Sequence, residues 1–145
     1  MILSTGVVAK TNTTIGGENG EITMQDLREQ YDAVYISIGA HTDKKMGIEG
    51  EDSQGVISAV EMLREVGRNR MPDFKGKRVV VIGGGNVAMD CTRSAIRLGA
   101  DKVICVYRRR KKDMTALPDE VEGAIAEGAE ILELHAPERI QADEN

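Results

Sequence analysis

The sequence predicts an α/β fold built on a parallel sheet, and three observations carry that prediction. "RVVVI" (78–82) is an apolar run that passes straight into three glycines. A segment with apolar residues at near four-residue spacing follows it. Two further short apolar runs, "KVICVY" and "AEILEL", then alternate with one more helix-like segment. A β-α-β-α-β order with short connections implies parallel strands joined by right-handed crossovers.

The elements follow in chain order. Residues 5–10, "TGVVAK", read as a strand-like fragment, and "IGGENGE" after them is turn chemistry. Thr23 with Asp26 three positions on resembles a capping box ahead of a short helix. "DAVYISIGA" (32–40) is a continuous apolar run ending in glycine and reads as a buried strand of a parallel sheet. Residues 41–57 are rich in glycine and charge and have no period of their own, so they read as a connection between two units.

Ser58 with Glu61 predicts a second capping box, opening a helix whose Val60, Leu63 and Val66 share one face. "MPDFKGK" breaks the chain, and the β-α-β-α-β unit begins at Arg78. Val87, Cys91, Ala95 and Leu98 fall together on the first helix, which closes at Gly99. The second helix has Pro118 in its first turn and Gly128 past its end. This is half of a doubly wound, Rossmann-like nucleotide-binding fold, which as a class stacks helices, sheet and helices in three layers.

Gly83, Gly85 and Ala88 fit the spacing G-x-G-x-x-G/A at a strand-to-helix turn, with Gly84 between them. The first glycine permits the tight turn, and the second lets a pyrophosphate approach the backbone. Ala88 lets the helix pack near the strand. The helix start beyond offers unpaired N–H groups to an anion, and the resemblance described below implies that Asn86 and Val87 supply these contacts. A site preferring NAD places a carboxylate at the tip of the second strand, whereas this chain has Arg108 and Arg109. Paired guanidinium groups suit the 2′-phosphate of NADP, so the pattern points to NADPH. Arg110, Lys111 and Lys112 read as a solvated basic loop.

Composition narrows the class further. The chain carries 24 acidic and 19 basic residues, for a net charge of −5, and its aromatic content is 3% with no Trp. A general nucleic-acid binder is usually basic and supplies stacking rings, so nucleic-acid binding is disfavoured. No apolar stretch reaches membrane-spanning length and no secretory leader is evident, so the reading is a soluble cytoplasmic chain without a membrane partner. Cys91 and Cys105 read as free buried thiols, with no metal-ligand spacing. His41 and His135 are isolated, and no catalytic acid, base or nucleophile stands out.

The stretches "YDAVYISIGAH", "GIEGEDSQGVISAVEMLREV", "GKRVVVIGGGNVAMDCTRSAIRLGADKVICVYRRRKKDM" and "EVEGAIAEGAEI" together resemble the small (beta) subunit of NADPH-dependent glutamate synthase and its flavoprotein relatives, including the flavin module of dihydropyrimidine dehydrogenase. The resemblance covers most of the chain, and its most specific feature is GGGNVAMD followed by VYRR. It implies an FAD-binding domain interrupted by an NADPH-binding domain, with hydride passing from NADPH to FAD and electrons onward to a partner subunit or domain. It further implies that residues 1–50 are the C-terminal remnant of the FAD-binding domain plus a linker, and that 51–145 are the N-terminal part of the NADPH-binding domain. Ser37, Ile38 and Gly39 then end a strand of the FAD domain, with Gly39 permitting close approach of flavin or serving as an ordinary strand-end glycine. Asp90 takes a surface or packing role.

Three features of that family are missing from the chain: an N-terminal G-x-G-x-x-G for FAD, a cysteine cluster for iron–sulfur centres, and the second half of the NADPH domain. The chain reads as an excised segment that does not hold FAD by itself, with an open sheet edge suited to homo-oligomer formation. A non-redox dinucleotide-sensing module that regulates a partner is the alternative from a different class.

Overall fold

The computed structural model describes residues 2–18 and 20–143, in two units, Met1–Gly39 and Ala40–Asn145. In the first unit the chain opens with a 3-10 turn, Ile2–Thr5, and has an isolated bridge between Ile15 and Ile22. Helix α1 (Met24–Gln30) is held by the expected capping box. Thr23 Oγ1 accepts from the Asp26 amide at 3.1 Å, and the Asp26 carboxylate accepts from the Thr23 amide at 2.8 Å. These bonds hold the Asp26 carboxyl below its ordinary value.

Two expectations for this unit do not hold. Residues 5–10 form no strand, and neither do residues 32–40, whose side chains are all exposed, Tyr35 at 91% and Ile38 at 74%. An apolar run becomes a buried strand only when neighbouring strands take its backbone N–H and C=O groups and helices cover its faces. Among the described residues this segment joins no strand or bridge, and its side chains stay exposed.

The second unit starts its regular structure at α2 (Ala59–Gly67). Ser58 accepts from the Glu61 amide at 3.2 Å, but the reciprocal bond from Glu61 is not formed among the described residues, so only half of the expected capping box is present. The residue α2 buries most deeply is Met62, which the period of Val60, Leu63 and Val66 did not single out.

Strands β1 (Arg78–Ile82), β2 (Lys102–Tyr107) and β3 (Glu130–Glu133) form one parallel sheet in the order β1-β2-β3. Helices α3 (Asn86–Arg97) and α4 (Pro118–Ala126) cross between them, with Pro118 in the first turn of α4 as expected. Register pairs Val79 with Val103, Val81 with Cys105, and Cys105 with Ile131. Side chains alternate across a strand, so these residues share one face.

The core lies on that face. Met89, Ala95, Cys105 and Ala124 are fully buried there, with Val103, Val121, Cys91, Met62 and Phe74 around them. Both crossovers step in the same direction, and α3 and α4 pack into one core on the same side of the sheet. On the other face Val80 and Ile82 are 57% and 41% exposed, and the described residues supply no helical layer there. The third layer of the expected architecture is therefore not built by these residues, and the outer edges of β1 and β3 are unpaired among them.

Cys91 and Cys105 are free, buried thiols, as expected. Burial, with the neighbouring Asp90 charge, pushes the Cys91 thiol up to about 11, so it stays protonated at neutral pH.

Charge clasps the two helices on their outer side. Glu127 of the α4 cap accepts from Arg97 at 2.6 Å and from Arg93 at 2.8 Å, and Arg93 also reaches Glu120 at 2.5 Å. The bonds from Arg97 and then Arg93 hold the Glu127 carboxyl down to about 2 from its ordinary 4.5. A depressed folded-state pKa adds stability that is present above 4.5 and lost as pH falls toward 2. Glu127→Gln should therefore melt below the wild-type chain at neutral pH, with the gap closing between pH 4.5 and 2. Thermal melts followed by circular dichroism across that range check this, and a gap independent of pH would contradict it.

Candidate functional site

The turn between β1 and α3 carries three consecutive glycines, and each has a different relation to the surrounding structure. Gly83 has φ +144, a backbone conformation that L side chains rarely adopt, and a Cβ on it would stand 3.3 Å from the Cβ of Ala88. Gly84 lies under the ring of Tyr107, and a Cβ there would come within 2.5–2.8 Å of three ring carbons. Gly85 has extended backbone, φ −100 and ψ 176, that any residue adopts. A Cβ on Gly85 would meet only the Thr115 hydroxyl, at an ordinary 3.5 Å. The fold's own packing thus explains glycine at 83 and 84 but not at 85.

Gly85 also caps α3 with no side-chain bond. The Gly83 amide continues the sheet by donating to Val106 at 3.0 Å, and Ala88 and Met89 donate to the Gly85 carbonyl. Among the described residues no acceptor meets the amides of Gly84, Gly85, Asn86 and Val87. Four N–H groups at the start of a helix, beside a backbone without Cβ atoms, form the arrangement that receives a phosphate oxygen. Val87 stands half exposed in the first turn. The Asn86 side chain is engaged elsewhere: its Oδ1 accepts from the Leu117 amide at 2.9 Å and so caps the start of α4. Asp90 is exposed on α3.

Tyr107, the last residue of β2, was not evident as a site residue. Strand alternation alone could have placed it on the covered face with Val103 and Cys105. Its ring covers Gly84 and its hydroxyl donates to the Asp113 carbonyl at 2.9 Å. The Gly84 carbonyl accepts from the amides of Thr115 and Ala116 at 2.9 and 3.0 Å. Turn and loop are therefore bonded into one piece. Beneath them the buried Cys105 thiol donates to the Gly83 carbonyl at 3.2 Å.

Arg108, Arg109 and Arg110 lie directly beyond Tyr107, all exposed, and none makes an ion pair among the described residues. The structure thus brings Arg108 and Arg109 to the loop that is bonded to the glycine turn. Gly39 belongs to the first unit, exposed and at φ +70, where a Cβ would meet nothing within 4 Å. His41 lies outside the turn and loop; the His135 amide bonds the Tyr107 carbonyl at 3.1 Å, so His135 borders the loop. Among the described residues there is no His/Cys/Asp/Glu cluster able to hold a metal ion, and no helix long and apolar enough to cross a membrane.

A parallel β-α-β-α-β sheet whose first strand enters a G-x-G-x-x-A turn defines the Rossmann-like class of FAD- and NAD(P)-binding domains. Residues 3–137 match the model of the pyridine nucleotide-disulphide oxidoreductase family, and the chain belongs to that family. Over 129 residues it is 46% identical to the NADP(+)-dependent formate dehydrogenase subunit beta of Moorella thermoacetica, covering 88% of this chain and 18% of that protein. Over 148 residues it is 42% identical to the NADPH-Fe(3+) oxidoreductase subunit beta of Geobacter sulfurreducens, covering 100% and 21%. Over 135 residues it is 38% identical to the glutamate synthase [NADPH] small chain of Escherichia coli, covering 86% and 28%.

The chain therefore spans less than a third of the length of these relatives. Among solved structures, FprA from Mycobacterium tuberculosis in complex with NADPH superposes with a TM-score of 0.57 at 29% identity, over 74% of this chain and 29% of that one. The resemblance to the glutamate synthase small subunit and its relatives thus extends through the sequence comparisons and the fold.

The Tyr107 ring is pinned through its hydroxyl and cannot swing freely from Gly84. Gly84→Ala should destabilise the chain by about 1–3 kcal/mol through overpacking, and by much less in a Tyr107→Leu background. Urea unfolding of the four variants of the cycle measures this, and equal costs in both backgrounds would show that the ring is not what excludes the methyl group.

Proposed function

We propose that this chain binds NADPH, with the turn Gly83–Gly84–Gly85 and the amides of Asn86 and Val87 receiving the pyrophosphate and Arg108 and Arg109 receiving the 2′-phosphate. The observation that carries this reading is Gly85. Its backbone is unstrained and a Cβ there would be tolerated, so glycine at this position serves something outside the fold. The unpaired amides give that ligand its charge, because four N–H groups with no acceptor at a helix start favour an anion. Guanidinium groups without carboxylate partners among the described residues add the preference for a second, doubly charged phosphate.

In this reading residues 51–145 contribute the first half of an NADPH-binding domain, and residues 1–50 belong to an FAD-binding domain and its linker. Gly39 then lies at a flavin-facing strand end that forms only where neighbouring strands complete the sheet. When bound, FAD would supply the acceptor for hydride from NADPH on the way to a partner subunit or domain, in keeping with relatives named as subunits of NADPH- and NADP-dependent oxidoreductases. This chain's own residues would bind and orient the dinucleotide. The work would be cytoplasmic, where NADPH is available. The unpaired outer edges of the three-stranded sheet would support pairing with a second copy when nothing else covers them.

Replacing Arg108 and Arg109 together by Ala should weaken NADPH binding roughly 10- to 100-fold while leaving NADH binding within about twofold, since each charge-assisted hydrogen bond contributes on the order of 1.5–3 kcal/mol. Calorimetric titration of the longest native form of the protein with each cofactor measures the ratio. Equal losses for both cofactors would refute the assignment.

A further inference from the structure

The basic loop holds two carboxylates, and neither neutralises an arginine. Asp113 accepts from the main-chain amide of Arg110 at 3.3 Å. Glu133, at the end of β3 and 22 residues further along the chain than its partner, accepts from the main-chain amide of Lys111 at 2.7 Å. Nearest-charge pairing would have put these acids on the guanidinium groups, and among the described residues the only ion pair β3 makes is the distant Lys102–Glu130.

The bond from Glu133 is one of three at alternate residues. The Tyr107 carbonyl accepts from the His135 amide and the Arg109 carbonyl from the Leu134 amide, each at 3.1 Å, and Lys111 donates to Glu133. The turn that makes this possible is strained. Leu134 is 64% exposed and holds φ +60, an uncommon conformation for a bulky residue, and there it aims its amide and that of His135 at the loop. The backbone on both sides of Arg108 and of Arg110 is thereby fixed to β3, while the side chains of all three arginines make no ion pair among the described residues.

We infer that Glu133 is a positioning residue that sets the NADPH over NADH preference, by fastening the arginine loop through the Lys111 amide while leaving its cations available to the 2′-phosphate. This rests on the assignment of Arg108 and Arg109 to that phosphate. The physical argument is pre-organisation. A loop fastened at residues 107, 109 and 111 loses little conformational freedom when the phosphate arrives, so more of each guanidinium bond appears as affinity. If Glu133 is cut back, the Lys111 amide loses its partner and the loop must be ordered on binding. NADH has no phosphate for this loop, so its affinity does not register the change.

The acceptor oxygen carries the role rather than the charge, and a carboxylate near the phosphate even opposes it. Glu133→Gln keeps an acceptor for the Lys111 amide and should preserve the preference. Lys111→Pro removes the donor from the other side. Arg110 already has the extended backbone, φ −77 and ψ 155, that a following proline requires, and position 111 opens a 3-10 turn, where proline is tolerated. Lys111→Ala removes the same cation but keeps the amide.

The experiment titrates the longest native form of the protein with NADPH and with NADH and compares the ratio of dissociation constants among these variants, with Arg108→Ala/Arg109→Ala as reference. Glu133→Ala should lower the ratio about tenfold through NADPH alone. Glu133→Gln should stay within about twofold of wild type, and Lys111→Pro should fall below Lys111→Ala. Hydrogen exchange at the Lys111 amide should quicken in Glu133→Ala and stay slow in Glu133→Gln. The inference is overturned if Glu133→Ala leaves the ratio unchanged, if it weakens both cofactors equally, or if Glu133→Gln falls as far as Ala. Should the double arginine variant itself leave the ratio unchanged, the phosphate assignment fails first and takes this inference with it.

Discussion

The contact between the Tyr107 ring and the main chain of Gly84 ties together everything that makes this unit more than a sheet with helices. At the end of a parallel β-α-β unit, the turn after the first strand and the loop after the second stand side by side because the strands pair, but nothing in the pairing fixes either one. Here an aromatic ring lies on a residue with no side chain, and that residue's carbonyl takes two amides from the segment beyond the basic loop. The ring's hydroxyl then reaches Asp113 on the far side of the same loop. A methyl group at position 84 would lift the ring and disturb three connections at once, which is why the middle glycine is as restricted as the strained Gly83 before it.

Charge is distributed with the same economy. The acids and bases on the outside of the helices pair with one another, Glu127 and Glu120 with Arg93 and Arg97, and they hold α3 against α4. Those of the loop do not. Asp113 and Glu133 take main-chain amides, and the cluster of arginines makes no ion pair among the described residues. Exposed ion pairs contribute little each, so the α3–α4 clasp gains from being a network rather than a set of separate pairs. Leaving the loop cations unpaired has a cost in mutual repulsion, which a bound anion would relieve.

Much of the second unit was legible in the sequence because its signals were local. The apolar runs at 78–82 and 102–107, the turn glycines and Pro118 at a helix start state their structure within a few residues, as the Thr23–Asp26 capping box does in the first unit. Residues 32–40 were not legible in the same way. Their composition is that of a buried strand, but a strand exists only by pairing, and pairing partners are not encoded in the run itself. The site divided along the same line. Gly83, Gly85 and the arginines announce themselves by spacing. Tyr107 over Gly84, Asn86 capping α4 and Glu133 holding Lys111 join residues 22 to 31 positions apart, or act through main-chain atoms that every residue possesses, so no pattern of residue types marks them. Strained Leu134 is the least readable of all, because nothing about a leucine calls for a left-handed backbone.

Sheet register is what converts these contacts into a distance a ligand can use. Ile82 is level with Val106, and the Gly83 amide extends the ladder by donating to the Val106 carbonyl. The turn therefore leaves the sheet at the level where Tyr107 ends β2, and the arginines begin one residue further on. Neighbouring strands lie about 4.8 Å apart, so the main chain of the glycine turn and that of the arginine loop start side by side. A slip of one residue between β1 and β2 would turn Tyr107 to the uncovered face and take its ring off Gly84, because side chains alternate along a strand. Core residues forbid that slip: Val103 and Cys105 are buried on the same face as Tyr107, and the helix that covers them also carries Ala88 against Gly83. The register of the glycine turn against the arginine loop is thus held by hydrophobic packing at residues of neither segment.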